Sequence, residues 1–258
     1  MADRLKDRIA IITGAGQGIG EAIANRFVAE GARVVIAERN PQTGEAVAAR
    51  LRAEGGAALA VQTDVADPDS VARMVEATAA HFGPPDILVN NAGIGVYKEP
   101  LDMNQDDWRR CFAVDLDGVW YCCQAVLPHM LQLGKGSIVN IASSHSFQII
   151  PHHFPYPVAK HGLIGLTRAL GVEYAAQNIR VNSVSPSYIA TEINMAIWRQ
   201  KPDPQAEIER AGSRQPMKRI GQPDEVAWAV VFLASDEASF ITATNLMVDG
   251  GGSALYHD

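Results

Sequence analysis

Ile9-Ala10-Ile11-Ile12-Thr13-Gly14-Ala15-Gly16-Gln17-Gly18-Ile19-Gly20 reads as a buried strand, a glycine-rich turn and the start of a helix. Glycines in such a turn let the backbone approach a pyrophosphate, and the unpaired N–H groups that open the helix suit its charge. The spacing is Gly14-x-x-x-Gly18-x-Gly20 with Ile at 19, so the common G-x-G-x-x-G fingerprint is absent.

Outward from this turn the pattern repeats. Short apolar, β-branched runs at 8–13, 33–37, 57–62, 86–90, 136–142, 179–185 and 244–248 predict strands, most of them continuously apolar as in a sheet covered on both faces. Amphipathic stretches near 18–30, 41–54, 68–82, 105–132, 156–176 and 223–234 predict helices between them. The alternation predicts an α/β fold, a doubly wound seven-stranded parallel sheet with right-handed crossovers. With 258 residues and no linker or repeat, the chain is expected to form one domain over 1–258. Only about 187–222, carrying Pro202, Pro204 and Pro216 among mixed polar residues, leaves the alternation; a lid or a disordered loop is expected there.

A formal charge of -7 argues against nucleic acid and anionic membranes as partners, since both reward clustered Lys and Arg. Met1-Ala2-Asp3-Arg4-Leu5-Lys6-Asp7-Arg8 alternates in charge, and no apolar run is long enough to span a bilayer, so a cytoplasmic protein without signal peptide or membrane anchor is expected. Cys111, Cys122 and Cys123 share one predicted helix without metal-ligand spacing. They are expected to be reduced packing residues, and no metal site is expected.

Chemistry concentrates at Ser143 and at Tyr156-x-x-x-Lys160. A free tyrosine titrates near pH ~10 and needs a nearby cation to act as a base at neutrality. Lys160 stands one helical turn away on the same face. Ser143 can supply a donor to an oxygen whose charge changes during reaction.

Together with Asp64-Val65, Asn90-Asn91-Ala92-Gly93, Pro186 and Val248-Asp249-Gly250-Gly251, these landmarks resemble, in order and almost end to end, the short-chain dehydrogenase/reductase family. The resemblance implies a Rossmann-type fold and an NAD(P)-dependent oxidoreductase acting on CH–OH groups. Catalytic roles would fall to Ser143, Tyr156 and Lys160, with the last two also contacting the nicotinamide ribose. The cofactor would lie against Gly14, Gln17, Gly18, Ile19 and Gly20. Asp64 would hold the adenine edge, Val65 its face, Asn91, Ala92 and Gly93 the ribose wall, and Pro186, Ile189 and Thr191 the nicotinamide end.

Glu38 closes the second strand, where an acid accepts hydrogen bonds from both adenosine ribose hydroxyls and repels a 2′-phosphate, so NAD is expected ahead of NADP. Arg39 could instead fork onto a phosphate, which keeps NADP open. Two positions depart from the family pattern. Ser187 replaces a usual glycine, tolerable unless the backbone there is left-handed. Asp115 replaces an asparagine that in relatives helps hold a water beside the lysine, largely through its main-chain carbonyl. A carboxylate there would favour the charged lysine if the two approach, or it could be satisfied by local contacts.

The substrate is expected to meet Ser143, His145, Ser146, His153, Tyr156, Tyr188, Asn194 and Trp198. That set is polar for a fatty chain or steroid, and 143–162 looks similar to sugar-oxidising members of the family. A sugar, sugar acid or polyol dehydrogenase is therefore expected, with a 3-oxoacyl or small-ketone reductase, or a non-catalytic nucleotide-binding protein, as alternatives. His152 and His153 fit a solvated loop as well as a ligand role. Relatives pair through their long fourth and fifth helices. Here Phe112, Val119, Trp120, Val126, Leu127, Leu163, Leu166 and Leu170 exceed one core-facing stripe, so a homo-oligomer, a tetramer first, is expected.

Overall fold

The computed structural model describes residues 3–255; what was read from Met1 and Ala2 lies outside them. The strands are β1 (Ile9–Thr13), β2 (Arg33–Glu38), β3 (Ala58–Gln62), β4 (Ile87–Asn90), β5 (Tyr97–Lys98), β6 (Gly136–Ile141), β7 (Phe154–Pro155), β8 (Ile179–Pro186) and β9 (Asn245–Val248). Seven of them form a parallel sheet in the order β3-β2-β1-β4-β6-β8-β9. The other two, β5 and β7, form a small antiparallel ribbon above it. The helices are α1 (Gly18–Ala29), α2 (Pro41–Ala53), α3 (Pro68–His81), α4 (Gln105–Phe112), α5 (Gly118–Leu133), α6 (Tyr156–Glu173), α7 (Glu192–Arg199), α8 (Pro204–Ser213) and α9 (Pro223–Ala234). None is long and apolar enough to cross a membrane.

The sheet is buried from both sides because successive strand residues face opposite ways. Ala10, Ile12, Val34 and Ile36 pack with Ile23 and Phe27 of α1 and Val226 and Val230 of α9. Ile11, Val35 and Leu88 pack with Met74 of α3, Val119 and Cys122 of α5 and Leu163 of α6. Caps fix where helices begin: Asn40 and Asp67 accept from the N–H groups of Gln42 and Asp69, with Pro41 and Pro68 in the first turn.

Two expectations about elements need correction. The helix expected over 105–132 is interrupted at Ala113–Asp117 by one wide π-helical turn, which carries Asp115. The segment 187–222 holds two helices, α7 and α8, whose caps Thr191 and Asp203 accept from Asn194 N and Ala206 N. Pro204 and Pro223 stand at helix starts, where a missing N–H costs nothing. Ser187 keeps negative φ and its hydroxyl accepts from Gln215 Nε2 at 3.1 Å, so the glycine is not needed there.

The count behind the oligomer expectation also changes. Val119, Val126, Leu127, Leu163 and Leu170 are all buried within the chain, because α5 packs on the sheet and beside α3, and α6 packs on the sheet. The apolar residues left exposed on these helices are Trp120, Leu131, Leu133, Val158 and Val172. All three cysteines are buried and unpaired.

Candidate active site

The chain builds β1, β2 and β3 toward one edge, then crosses β1 to lay down β4, β6, β8 and β9 toward the other. Loops leaving β1 and β4 therefore diverge at their C-terminal ends, which is where ligands bind in open α/β sheets. A cleft of ≈ 1340 Å³ opens there.

One end of the cleft has the features of a dinucleotide cradle. Gly14 and Gly18 adopt φ of 63° and 62°, and Gln17 caps α1 without any side-chain hydrogen bond, so the first helical turn presents its N–H groups uncovered. Gly20 does not line the cleft: a Cβ there would lie 2.3 Å from the Gly14 carbonyl oxygen, so glycine is needed for helix-to-turn packing and the expected direct contact is lost. Glu38 sits at the end of β2, its carboxylate accepting from Gly16 N and Asn40 N, both at 3.1 Å. Arg39, Asp64, Val65, Ala92, Gly93, Pro186, Ile189 and Thr191 also line the cleft. Asn91 lines it too, but its side-chain amide donates to the carbonyls of Thr13 at 2.9 Å and Gly14 at 3.0 Å. It thus braces the glycine turn. A bound dinucleotide fits this set: uncovered N–H groups for phosphate, and an acid for ribose hydroxyls.

At the other end Ser143 follows β6, and Tyr156 and Lys160 open α6. The Ser143 hydroxyl accepts from His145 N at 3.1 Å. Tyr156 shares the cleft with the edges of two rings, Tyr97 at 5.7 Å and His145 at 5.8 Å between centroids. Tyr97 was not legible as a site residue; β5 brings it in by pairing with β7, directly before Tyr156. Lys160 is 4% exposed and Asp115 0%, with Nζ 3.2 Å from Oδ1. Lys160 also donates to Ile141 O at 3.2 Å, and the Ile94 N–H donates to both Asp115 oxygens at 3.3 Å. The Cys111 thiol lies 3.9 Å from Oδ2.

The electrostatics differ from the simple tyrosine–lysine picture. Burial pushes Tyr156 above its usual range; Lys160 pulls it down, Asp115 pushes it back up, and Ser143 pulls it down, with a net upward shift. Burial pulls Lys160 down, but Asp115 and Tyr156 outweigh it and hold the ammonium above its usual range. Burial raises Asp115 despite the lysine. The lysine therefore does not bring the tyrosine below its usual range in this cleft, first because burial outweighs it and then because Asp115 offsets part of its charge.

The substrate end is walled by His145 and His153, stacked at 5.0 Å, with His153 against Tyr97 at 4.6 Å. Burial, then His153, pushes His145 down to about 4, so it is a neutral imidazole at physiological pH. Ser146 is misplaced in the expected set: it is 2% exposed and its hydroxyl donates to Lys160 O at 2.9 Å, so it anchors α6 and does not line the cleft. Asn194 lines the cleft while its amide donates to Ile189 O at 2.9 Å, fixing the start of α7. Tyr188 and Trp198 line it, and the lid adds Ile193, Ile197 and Arg214. The wall is more apolar than expected, with Ile149 and Ile150 in the lining as well. His152 points elsewhere, to Glu99, and is exposed. No cluster of metal-binding side chains exists among the described residues.

Residues 14–253 match the family model described as enoyl-(acyl carrier protein) reductase. The meso-2,3-butanediol dehydrogenase of Serratia marcescens is 41% identical over 251 residues, 97% of this chain and 96% of that one. The cis-4-hydroxycyclohexanecarboxylate dehydrogenase of Sinomonas cyclohexanicum is 42% identical over 256 residues, 99% of this chain and 100% of that one. The solved structure of a gluconate 5-dehydrogenase from Burkholderia cenocepacia J2315, in complex with NADP and tartrate, superposes with a TM-score of 0.92 at 37% identity, covering 99% of this chain and 98% of that one.

Proposed function

The chain belongs to the short-chain dehydrogenase/reductase family, NAD(P)-dependent enzymes acting on CH–OH groups, and from that premise we propose that it oxidises a polyol, sugar or sugar acid with NAD. The observation that carries this reading is the meeting of Ser143, Tyr156 and Lys160 beside a wall of two imidazoles and a tyrosine, which offers hydrogen bonds to a hydroxyl-rich substrate. A nicotinamide in the cleft supplies the hydride acceptor. Tyr156 takes the hydroxyl proton, Ser143 holds the substrate oxygen, and Lys160 keeps a positive charge beneath the tyrosine. Asp115 acts through Lys160: it pins the ammonium and partly cancels its field. Screening aldoses, polyols, hydroxy acids and ketones with NAD and NADP separately, by nicotinamide absorbance, tests the reading; oxidation of none of the alcohols would overturn it.

A ketone or acyl reductase is the second reading, favoured by the apolar lid residues Ile193 and Ile197. It would show as ketone reduction with NADPH ahead of any alcohol oxidation. Intact Ser143, Tyr156 and Lys160 speak against a protein that only binds nucleotide.

Cofactor preference rests on Glu38. Glu38→Ser removes two hydrogen bonds to a charged acceptor at ~1.5–3 kcal/mol each and removes repulsion of a 2′-phosphate. The ratio of kcat/KM for NAD over NADP is expected to fall by roughly 10²- to 10⁴-fold. An unchanged ratio would reject the NAD assignment. The homo-oligomer reading now rests on exposed Trp120, Leu131, Val158 and Val172 of α5 and α6. Light scattering is expected to find an assembly, a tetramer first, at micromolar concentration, and a stable monomer would reject it. Three buried, unpaired thiols support a reducing, cytoplasmic setting.

A further inference from the structure

Charge at the substrate end of the cleft is unbalanced in one place. Four arginines lie between 187 and 222, and three of them are paired: Arg199 with Glu192, Arg210 with Glu207, and Arg219 with Glu225. Arg214, directly after α8, is the one that lines the cleft, and it has no carboxylate partner among the described residues. Its Nη1 donates to the Tyr188 hydroxyl at 2.8 Å, an orienting contact that leaves the charge intact. The cleft's acids are engaged elsewhere. Asp115 pairs with Lys160, Glu192 with Arg199, Asp64 accepts from Ala66 N, and Asp249 accepts from Gly251 N and Ser253 N. Of the cleft's other cations, Lys160 is offset by Asp115 and Arg39 belongs to the adenosine end beside Glu38.

We infer that the substrate carries a carboxylate as well as the reacting hydroxyl, and that Arg214 binds it. A guanidinium matches a carboxylate with two parallel N–H···O bonds, and Tyr188 sets its plane. His145, which also lines the cleft, is neutral, so it does not compete for the anion. An uncharged polyol would leave this geometry unused. The inference rests on the dehydrogenase reading for the hydroxyl, and on Arg214 alone for the anion.

The probes are two pairs differing only in a carboxylate, D-threonate with D-threitol and D-gluconate with D-glucitol. Thermal shift in the presence of NAD and initial rates of NADH formation are read for the parent, Arg214→Lys and Arg214→Ala. We expect at least one aldonate, and neither alditol, to raise the melting temperature of the parent. Arg214→Ala should abolish that shift and raise KM for the aldonate by roughly 10- to 100-fold with little change in kcat, and Arg214→Lys should recover part of it. No aldonate shift in the parent, an equal shift in Arg214→Ala, or an equal loss on both members of a pair would overturn the inference. An Arg214-dependent shift without any alcohol oxidation would sink the dehydrogenase reading and keep the anion site.

Discussion

Tyr156→Phe is expected to lower kcat by roughly 10²- to 10⁴-fold, the range that a positioned acid/base contributes. The substitution removes only the hydroxyl. The ring keeps its edge contacts with Tyr97 and His145, and the ribose end of the cleft, built on Glu38 and the glycine turn, is untouched. NAD affinity by calorimetry should therefore stay near the parent value. Turnover within a few-fold of the parent would reject Tyr156 as the proton acceptor, and loss of NAD binding would show that the effect is structural.

The second large effect belongs to the pair beneath the tyrosine. Lys160→Met leaves Asp115 buried without its counter-charge, at a cost of about 3–5 kcal/mol. Turnover should also be lost. Burial holds Asp115 above its ordinary value even beside the lysine, and without the lysine it rises further. The folded variant thus binds a proton that the unfolded chain has already released, so its stability falls as pH rises from the carboxylate range toward neutrality. Denaturant melts at pH 5 and 8 should show a larger deficit against the parent at pH 8. Adding Asp115→Asn, which keeps an oxygen for the Ile94 N–H, should restore most of the stability and none of the turnover. By itself Asp115→Asn removes a negative charge that raises Tyr156. The phenolate then forms at lower pH, and the rising limb of the pH–rate profile for alcohol oxidation should move to lower pH. A limb that stays in place would show that Asp115 serves packing only.

Several of these groups were readable from neighbours in sequence. Tyr156 and Lys160 are four residues apart on one helix, so their proximity follows from helical geometry. The glycine turn follows from a strand and a helix that each reveal their own period. Asp115 was readable as a carboxylate replacing an amide. Its distance from Lys160 was not, because the π turn that aims it is set against α6 by tertiary packing. Ser146 went the other way. It reads as a ligand contact, and the structure commits its hydroxyl to a backbone carbonyl away from the cleft, while Asn194 keeps its place in the lining with its amide donated to Ile189 O.

The sequence by itself determined the order of strands and helices, the positions of the two chemical centres and the acidic end of β2. Each depends on hydrogen bonds and side-chain periodicities that span only a few residues. Tertiary structure alone decided that Tyr97 stands against Tyr156, that the lid is a pair of helices, and that most excess apolar residues of α5 and α6 are buried. It also decided that Arg214 reaches the cleft with no carboxylate partner among the described residues, while the other lid arginines are spent on salt bridges. Those outcomes turn on which remote surfaces exclude water from each other, and burial of that kind is a property of the packed chain with no local period to announce it.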